Sequence, residues 1–464
     1  MPKRMAIPLD RSASRPLYLQ MEAWLRDALA SGLLAPGTRL PAARALAGDL
    51  AVSRTTVEAA FAPLLAEGLL EARGAAGTRV AARPVRDALP PRSADPQPPG
   101  PEGGVDLSGG GGDDRLFPFA GFLRSLRTRL LADPPGFLGL PDPAGEPRLR
   151  EAIARVCASQ GLLLPPGHIL VTGGSQQILA LAALALGRPG APVLVETPTY
   201  PKAMLLFRSL GLEVRGLPCD RQGPLPGALA EQGRGAAFAY LMPTFRNPTG
   251  TVMGAERRRR LVAEAAALGL PILEDDYVGG LRYEGRPLPT LKALSGPGAV
   301  LYTGTFSKLL APGLGVGFAA AEGPLLERLL ALKGVAGLSA SRPFQRGLAE
   351  FIGVGSYRNH LRRALAGYRR RRDRLAEALA RHLPQVRFQR PAGGLFLWVE
   401  FPAAVDCGRF GAACAREGVR VAWGRGFFAD PGVEADRFLR LNFAQGDPEE
   451  LEAGVERLGR ALVG

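Results

Sequence analysis

The chain has 464 residues but only five lysines: Lys3, Lys202, Lys292, Lys308 and Lys333. Lys308 lies in GTFSKLLAPGLGVGF (304–318), directly after an apolar run and a serine. A neutral amine at such a place can attack a carbonyl carbon. Four other stretches carry side chains of matching chemistry. GGSQQ (173–177) opens a helix with small residues, which makes an anion cradle from free backbone N–H groups, although a plain glycine-rich turn has the same composition. TPTY ends in Tyr200, an aromatic that could stack on a ring or simply fill the core. MPTFRNPTG contains Asn247. DDYVGG contains Asp275 and Tyr277, and two adjacent acids could either cap the next helix or pair with a protonated ring nitrogen. Taken in order, the chain offers an anion cradle, an aromatic, an amide, a carboxylate with a phenol, and then a lysine. Pyridoxal 5'-phosphate requires that combination: an amine for its aldehyde, a carboxylate for its pyridinium proton and a nest for its phosphate.

Each of these groups follows a short apolar run. HILVT (168–172), PVLVE (192–196), AAFAYL (236–241), LPILED (270–275) and AVLYTG (299–304) alternate with helical stretches. That rhythm predicts βα units and a mostly parallel sheet flanked by helices, an α/β class. Ligands of such sheets bind at the carboxyl ends of the strands, where these side chains fall.

The N-terminal segment has a different order. LYLQMEAWLRDAL puts Leu17, Met21, Trp24, Ala28 and Leu29 on one helical face. A second helix spans Ala42 to Leu50, AVS makes a tight turn, and Ser53 can cap a third helix whose apolar stripe is Val57, Ala60, Phe61, Leu64 and Leu65, with Gly68 as its stop. LLEAR and TRVA, joined by GAAG, predict a two-stranded hairpin. Together they describe a winged helix-turn-helix. Between the two parts, ARPVRDALPPRSADPQPPGPEGGVDLSGGGG (82–112) holds seven prolines and then a glycine cluster. That composition predicts an extended linker. The expected domains are therefore 1–81, a linker 82–112, and 113–464.

Bulk properties bound these readings. The hydrophobic content of 46% with 22% charged residues is globular. The formal charge of +15 permits nucleic-acid binding without requiring it. Residues 1–80 hold ten Lys or Arg against seven Asp or Glu, so the excess is not concentrated there. Four scattered cysteines form no C-x-x-C pair, and MPKRMAIPLD lacks the apolar core of a signal peptide. The longest apolar run, ILALAALAL, is too short for a membrane span. The expectation is a soluble cytoplasmic protein that does not associate with membranes. The three histidines have no metal spacing, and no metal site is expected.

The motifs just quoted resemble known families. The large segment resembles the class I (fold type I) aminotransferases over essentially its whole length, and residues 16–81 resemble the GntR-type winged helix. Joined in this order, the chain resembles MocR/GabR-type transcriptional regulators. The resemblance implies an aminotransferase fold type I with a smaller C-terminal α+β subdomain, pyridoxal 5'-phosphate as cofactor, double-stranded DNA with paired half-sites as partner, an amino compound or the cofactor itself as effector, and a homodimer. It implies Lys308 as the lysine bonded to the cofactor, Asp275 at the pyridine nitrogen, Asn247 and Tyr277 at the ring hydroxyl oxygen, and Tyr200 stacked on the ring. Ser175, Gln176, Thr305 and Ser307 would bind phosphate, and Arg440, in FLRLNFA, would clamp an α-carboxylate.

For DNA, the start of the third helix would face the major groove with Ser53, Arg54, Thr55 and Thr56, Arg44 would support it from the preceding helix, and Arg73 and Arg79 would track the backbone from the hairpin. The arginine-rich stretch 357–383 reads as a solvated helix face, with supplementary DNA contact as the alternative. Two positions depart from the family pattern. PGLG places Gly315 where an arginine is usual, and LPDPAG places Leu140 where a tyrosine is frequent. Both lost groups would touch phosphate, so weaker, reversible cofactor binding is expected unless Arg246 compensates. The competing expectation is a working aminotransferase acting on an amino acid.

Overall fold

The computed structural model describes residues 7–11, 16–30, 34, 37–66, 69–72, 77–81, 103–139, 142–337, 340–403 and 405–463. The chain divides into two units, Met1–Ala94 and Asp95–Gly464.

In the first unit, α1 (Leu17–Ala30), α2 (Ala43–Leu50) and α3 (Arg54–Ala66) precede a hairpin of β1 (Leu70–Ala72) and β2 (Thr78–Val80). Met21, Leu25 and Ala28 of α1 pack on Leu46, Val57, Ala60, Phe61 and Leu64. Met21 and Ala28 of the expected stripe are in this core, with Trp24 and Leu29 half-buried against it, and the fully buried Leu25 is an addition to it. The α2–α3 turn is tight because Ala51 adopts φ 52° and sends its N–H back to Ala47 and Gly48 carbonyls. Ser53 Oγ then accepts the Thr56 N–H at 3.0 Å, the cap expected for α3. Gly68 and Arg73 lie outside the described residues.

The second unit is built on a seven-stranded sheet. Its strands are β4 (Ile169–Thr172), β5 (Pro192–Glu196), β6 (Glu213–Leu217), β7 (Phe238–Leu241), β8 (Ile272–Asp276), β9 (Val300–Thr305) and β10 (Gly317–Ala320), the label β3 being kept for Val105–Asp106. Their order is β4-β10-β9-β8-β7-β5-β6, with β10 antiparallel to both neighbours and the other pairs parallel. The five apolar runs of the sequence account for five of these strands. Edge strand β6, half-exposed in alternation, and β10, inside the GLGVGF stretch, are additions. Helix α4 (Ser175–Leu186) follows β4, and α5 (Pro201–Ser209) follows β5.

A smaller sheet pairs Arg387–Phe388, Phe396–Glu400, Phe438–Asn442 and Ala422–Trp423 in that order. It lies near a 27-residue helix, Ser356–His382. This helix is the arginine-rich stretch. Several of its arginines pair within the chain, Arg371 to Asp113 at 2.7 Å, Arg372 to Glu284 at 2.7 Å, and Arg374 and Arg381 to Glu452, while Arg358, Arg362, Arg363, Arg369 and Arg370 are exposed.

The linker boundary at Gly112 needs correction. Residues 103–112 fold with the second unit: β3 forms a parallel pair with Val419–Arg420, Leu107 is fully buried, and the Asn442 amide donates to the carbonyls of Gly109 (2.8 Å) and Gly111 (2.9 Å). Backbone pairing holds this glycine-rich stretch, and composition carries no signal of it.

Candidate functional site

Strand alternation decides which of the adjacent acids faces the ligand side of the sheet. Asp276 accepts the Tyr302 hydroxyl at 2.8 Å, while Asp275 points the other way and accepts the Tyr240 hydroxyl at 2.7 Å. Neither acid is a helix cap. Asp275 is 3% exposed, and its second oxygen, Oδ1, is buried without a hydrogen-bond partner. Burial pushes its carboxyl up to about 7, countered by the Tyr240 bond and by Lys308.

That carboxylate lines a cavity of about 290 Å³. Lys308, in the turn after β9, reaches the same cavity, as do Ser175, Tyr200, Asn247, Tyr277 and Arg440. The Lys308 amine makes no hydrogen bond or ion pair among the described residues. Burial, then the positive charges of Lys202 and Arg440, lower its pKa and favour the neutral, nucleophilic amine. Ser175 opens α4 after Gly174, whose φ of 119° makes the sharp turn. Gly317 lets β10 abut that turn, since a Cβ there would stand 2.9 Å from Gly174 Cα and 3.0 Å from the Ser175 nitrogen.

Arg440 is 7% exposed. Its guanidinium lies over the Phe396 ring at 4.1 Å and the Phe427 ring at 5.1 Å. It donates to Asn247 Oδ1 (3.1 Å) and to the backbone carbonyls of Ser108 (2.7 Å) and Gly109 (3.1 Å), while Nε has no partner. Burial lowers its pKa to about 10.

The other sequence candidates fall outside this lining. Gln176 is exposed and donates to the Lys202 carbonyl at 3.3 Å. Thr305 Oγ1 donates to the Val316 carbonyl at 3.4 Å and accepts the Ser307 N–H at 3.1 Å. Within the lining, the Tyr277 hydroxyl is engaged as well, donating to the Phe245 carbonyl at 2.9 Å. Arg246 is engaged by Glu196, Thr249 and Asp220, so it is not the phosphate cation considered for it. Gly315 stands in the left-handed region at φ 54°, and Leu140 lies outside the described residues.

Sequence reasoning missed Lys202, Ser108, Met242 and Phe427, all of which line the cavity. Lys202 carried one signal: a scarce amine two residues after the aromatic Tyr200. A grouping that spacing did not show, His382 with Glu452 and Glu456, also appears. Glu452 is already paired with Arg374 and Arg381, which makes it a salt-bridge cluster.

On the first unit, Arg44, Ser53, Arg54 and Thr55 are exposed and Thr56 is half-buried. Arg54 pairs with Glu58 at 2.7 Å, with its side chain 68% exposed. Arg79 is half-buried and donates to the Gly37 carbonyl at 3.2 Å.

The donor set suits pyridoxal phosphate: an amine whose pKa burial lowers, a partnerless carboxylate oxygen, a phenol and a helix N-terminus share one cavity. Comparison with known proteins agrees. Residues 121–458 match the aminotransferase class I and II family, and residues 17–80 match the gntR family of bacterial regulatory proteins. The chain is 32% identical to the uncharacterised HTH-type transcriptional regulator YisV of Bacillus subtilis, over 96% of each chain. It is also 32% identical to the HTH-type transcriptional regulator TauR of Rhodobacter capsulatus, over 99% of this chain and 100% of that one. Among solved structures, LysN, an alpha-aminoadipate aminotransferase of Thermus thermophilus complexed with N-(5'-phosphopyridoxyl)-L-leucine, aligns with a TM-score of 0.72 and 34% identity over 78% of this chain and 93% of that chain.

Proposed function

Because the chain belongs to the family of gntR-type transcriptional regulators that carry a class I and II aminotransferase domain, we propose that its large unit holds pyridoxal 5'-phosphate on Lys308 and senses an amino compound there. One observation carries this reading: the unpartnered Lys308 amine, the partnerless Asp275 Oδ1 and the Arg440 guanidinium share a single cavity. Bound at Lys308, the cofactor supplies an electron sink for an amino group attached to it.

The chain's own groups have these roles. Lys308 would hold the cofactor through its aldehyde. Asp275 Oδ1 would accept a hydrogen bond from the protonated ring nitrogen, with Tyr240 fixing Oδ2. Tyr200 stacks on the ring, and Asn247 with Tyr277 faces the ring hydroxyl oxygen. Ser175, Gln176, Thr305 and Ser307 form the phosphate cradle, and Arg440 takes a carboxylate. Ser53, Arg54, Thr55 and Thr56 at the start of α3 read the major groove, with Arg44, Arg73 and Arg79 on the flanking backbone. The protein acts in the cytoplasm as a homodimer, and its two winged helices engage paired half-sites. A ligand alters DNA affinity because it prefers one arrangement of the protein over another.

The deciding experiment has two readouts. Borohydride reduction of the protein with pyridoxal phosphate, followed by peptide mapping, is expected to label Lys308. Gel shift on the DNA upstream of the protein's own coding sequence is expected to respond to the cofactor. An unlabelled Lys308 would sink the reading.

A working aminotransferase is the second reading, favoured by the joint presence of Lys308, Asp275 and Arg440 in the cavity. Rapid conversion of the bound cofactor to its amine form by an amino acid, without DNA binding, would select it.

A further inference from the structure

Basic side chains outnumber acidic ones in the cavity. Lys202, Lys308 and Arg440 line it, against the single carboxylate of Asp275. Two of the three cations are already assigned: Lys308 to the cofactor's aldehyde, and Arg440 to Asn247 and the carbonyls of Ser108 and Gly109. The third cation, Lys202, has no such task. It is exposed, and its amine makes no hydrogen bond or ion pair among the described residues.

Its position is fixed by its backbone. The Lys202 carbonyl accepts the Gln176 amide at 3.3 Å, which ties the first turn of α5 to the first turn of α4, where Ser175 meets the cavity. After burial, the charge of Lys202 lowers the Lys308 pKa most, ahead of Arg440, while Asp275 acts in the opposite direction. Beside Gly173, Gly315 offers no side chain: a Cβ there would meet only the Gly173 carbonyl at 3.8 Å. Arg246 is held in its own buried pair.

We propose that Lys202 is the cation that neutralises the phosphate of the bound cofactor. The inference rests on the reading that the cofactor occupies Lys308, and it adds the residue that compensates for glycine at 315. Lys202 lies two residues after Tyr200, so one helix start positions both the stacking ring and the phosphate cation.

The test compares pyridoxal phosphate with pyridoxal, which has the same aldehyde and ring without the phosphate. Full-length protein and its Lys202→Met and Lys202→Arg variants are titrated with each, read by the visible absorbance of the lysine-bound form and by tryptophan fluorescence. Lys202→Met is expected to weaken pyridoxal phosphate uptake about 10- to 100-fold, the effect of one charged hydrogen bond, and to leave pyridoxal uptake within about twofold. Lys202→Arg should restore most of the loss. Inorganic phosphate should compete with pyridoxal phosphate in the parent and less in Lys202→Met. An equal loss for both aldehydes would overturn the proposal, because Lys202 would then act through the Lys308 amine or the fold. Unchanged pyridoxal phosphate uptake with weakened binding of a dicarboxylic amino acid would also overturn it, assigning the cation to the effector. If the parent takes up neither aldehyde, the underlying cofactor reading has failed and this proposal fails with it.

Discussion

Arg54 and Arg440 present the same guanidinium in opposite settings. Arg54 stands at the start of a helix with its side chain 68% exposed, paired with Glu58 one turn away. Arg440 is 7% exposed, sandwiched near two phenylalanine rings, and hydrogen-bonded to residues as far as 332 positions away in sequence. An exposed cation keeps its hydration and needs little from the fold. A buried one requires donors matched to acceptors, since unpaired charge in a low dielectric is costly. A DNA-reading surface can therefore be written in one short stretch of sequence, whereas a ligand cavity must be assembled from many.

If that contrast is right, the two regions should fail independently. The largest effect is expected from Lys308→Ala, which should abolish the visible absorbance of bound cofactor while DNA affinity without cofactor changes less than about twofold. Arg54→Ala should do the converse. Losing a base contact of about 1–3 kcal/mol should weaken specific DNA binding roughly 5- to 150-fold, with cofactor uptake unchanged. A variant that damages both properties would break the comparison.

Asp275→Asn addresses the electrostatic cost inside the cavity. The folded-state carboxyl is raised to about 7 from a usual 3.8. Its penalty on cofactor-free stability is therefore complete above pH 7, shrinks as pH falls from 7 toward 4, and is absent below that. The variant should melt higher than the parent at pH 8, by roughly 2–4 kcal/mol, with the gain vanishing by about pH 4. It should also take up cofactor more weakly. A gain that grows on acidification would contradict the burial argument.

Arg440→Met should leave cofactor uptake intact and weaken carboxylate-bearing effectors by about 1.5–3 kcal/mol, measured by titration of the loaded protein. The smallest effect is expected in the first unit. Ala51 holds φ 52°, where a Cβ is strained. Ala51→Gly should therefore stabilise the turn by about 0.5–1 kcal/mol in thermal unfolding, without altering cofactor uptake.

The same contrast explains how far the sequence could be read. Ser53, the apolar stripe of α3 and the hairpin are local, and local spacing reveals them. The site strands were legible because each is a short apolar run buried on both faces, and the side chain after each run falls at the ligand end. Strand β6 escaped because EVRGL at the sheet edge mixes charge and glycine with apolar residues. Strand β10 escaped because Gly317, needed for its approach to the Gly174–Ser175 turn, reads as a break. Lys202 resembled any solvated surface lysine, since nothing local shows that its helix starts beside Gln176. Arg246 was misjudged for the reverse reason. Its neighbour Asn247 lines the cavity, yet its own side chain is taken by Glu196, 50 residues earlier.

Ser108 and Gly109 lie a few residues beyond the segment joining the two units, and their carbonyls already occupy the guanidinium proposed to receive an effector. An arriving carboxylate must compete with the protein's own main chain for Arg440. Winning that contest would release the carbonyls of Ser108 and Gly109 from the guanidinium. Effector strength would then depend on how firmly Asn442 keeps Gly109 and Gly111 in place, as much as on the effector itself.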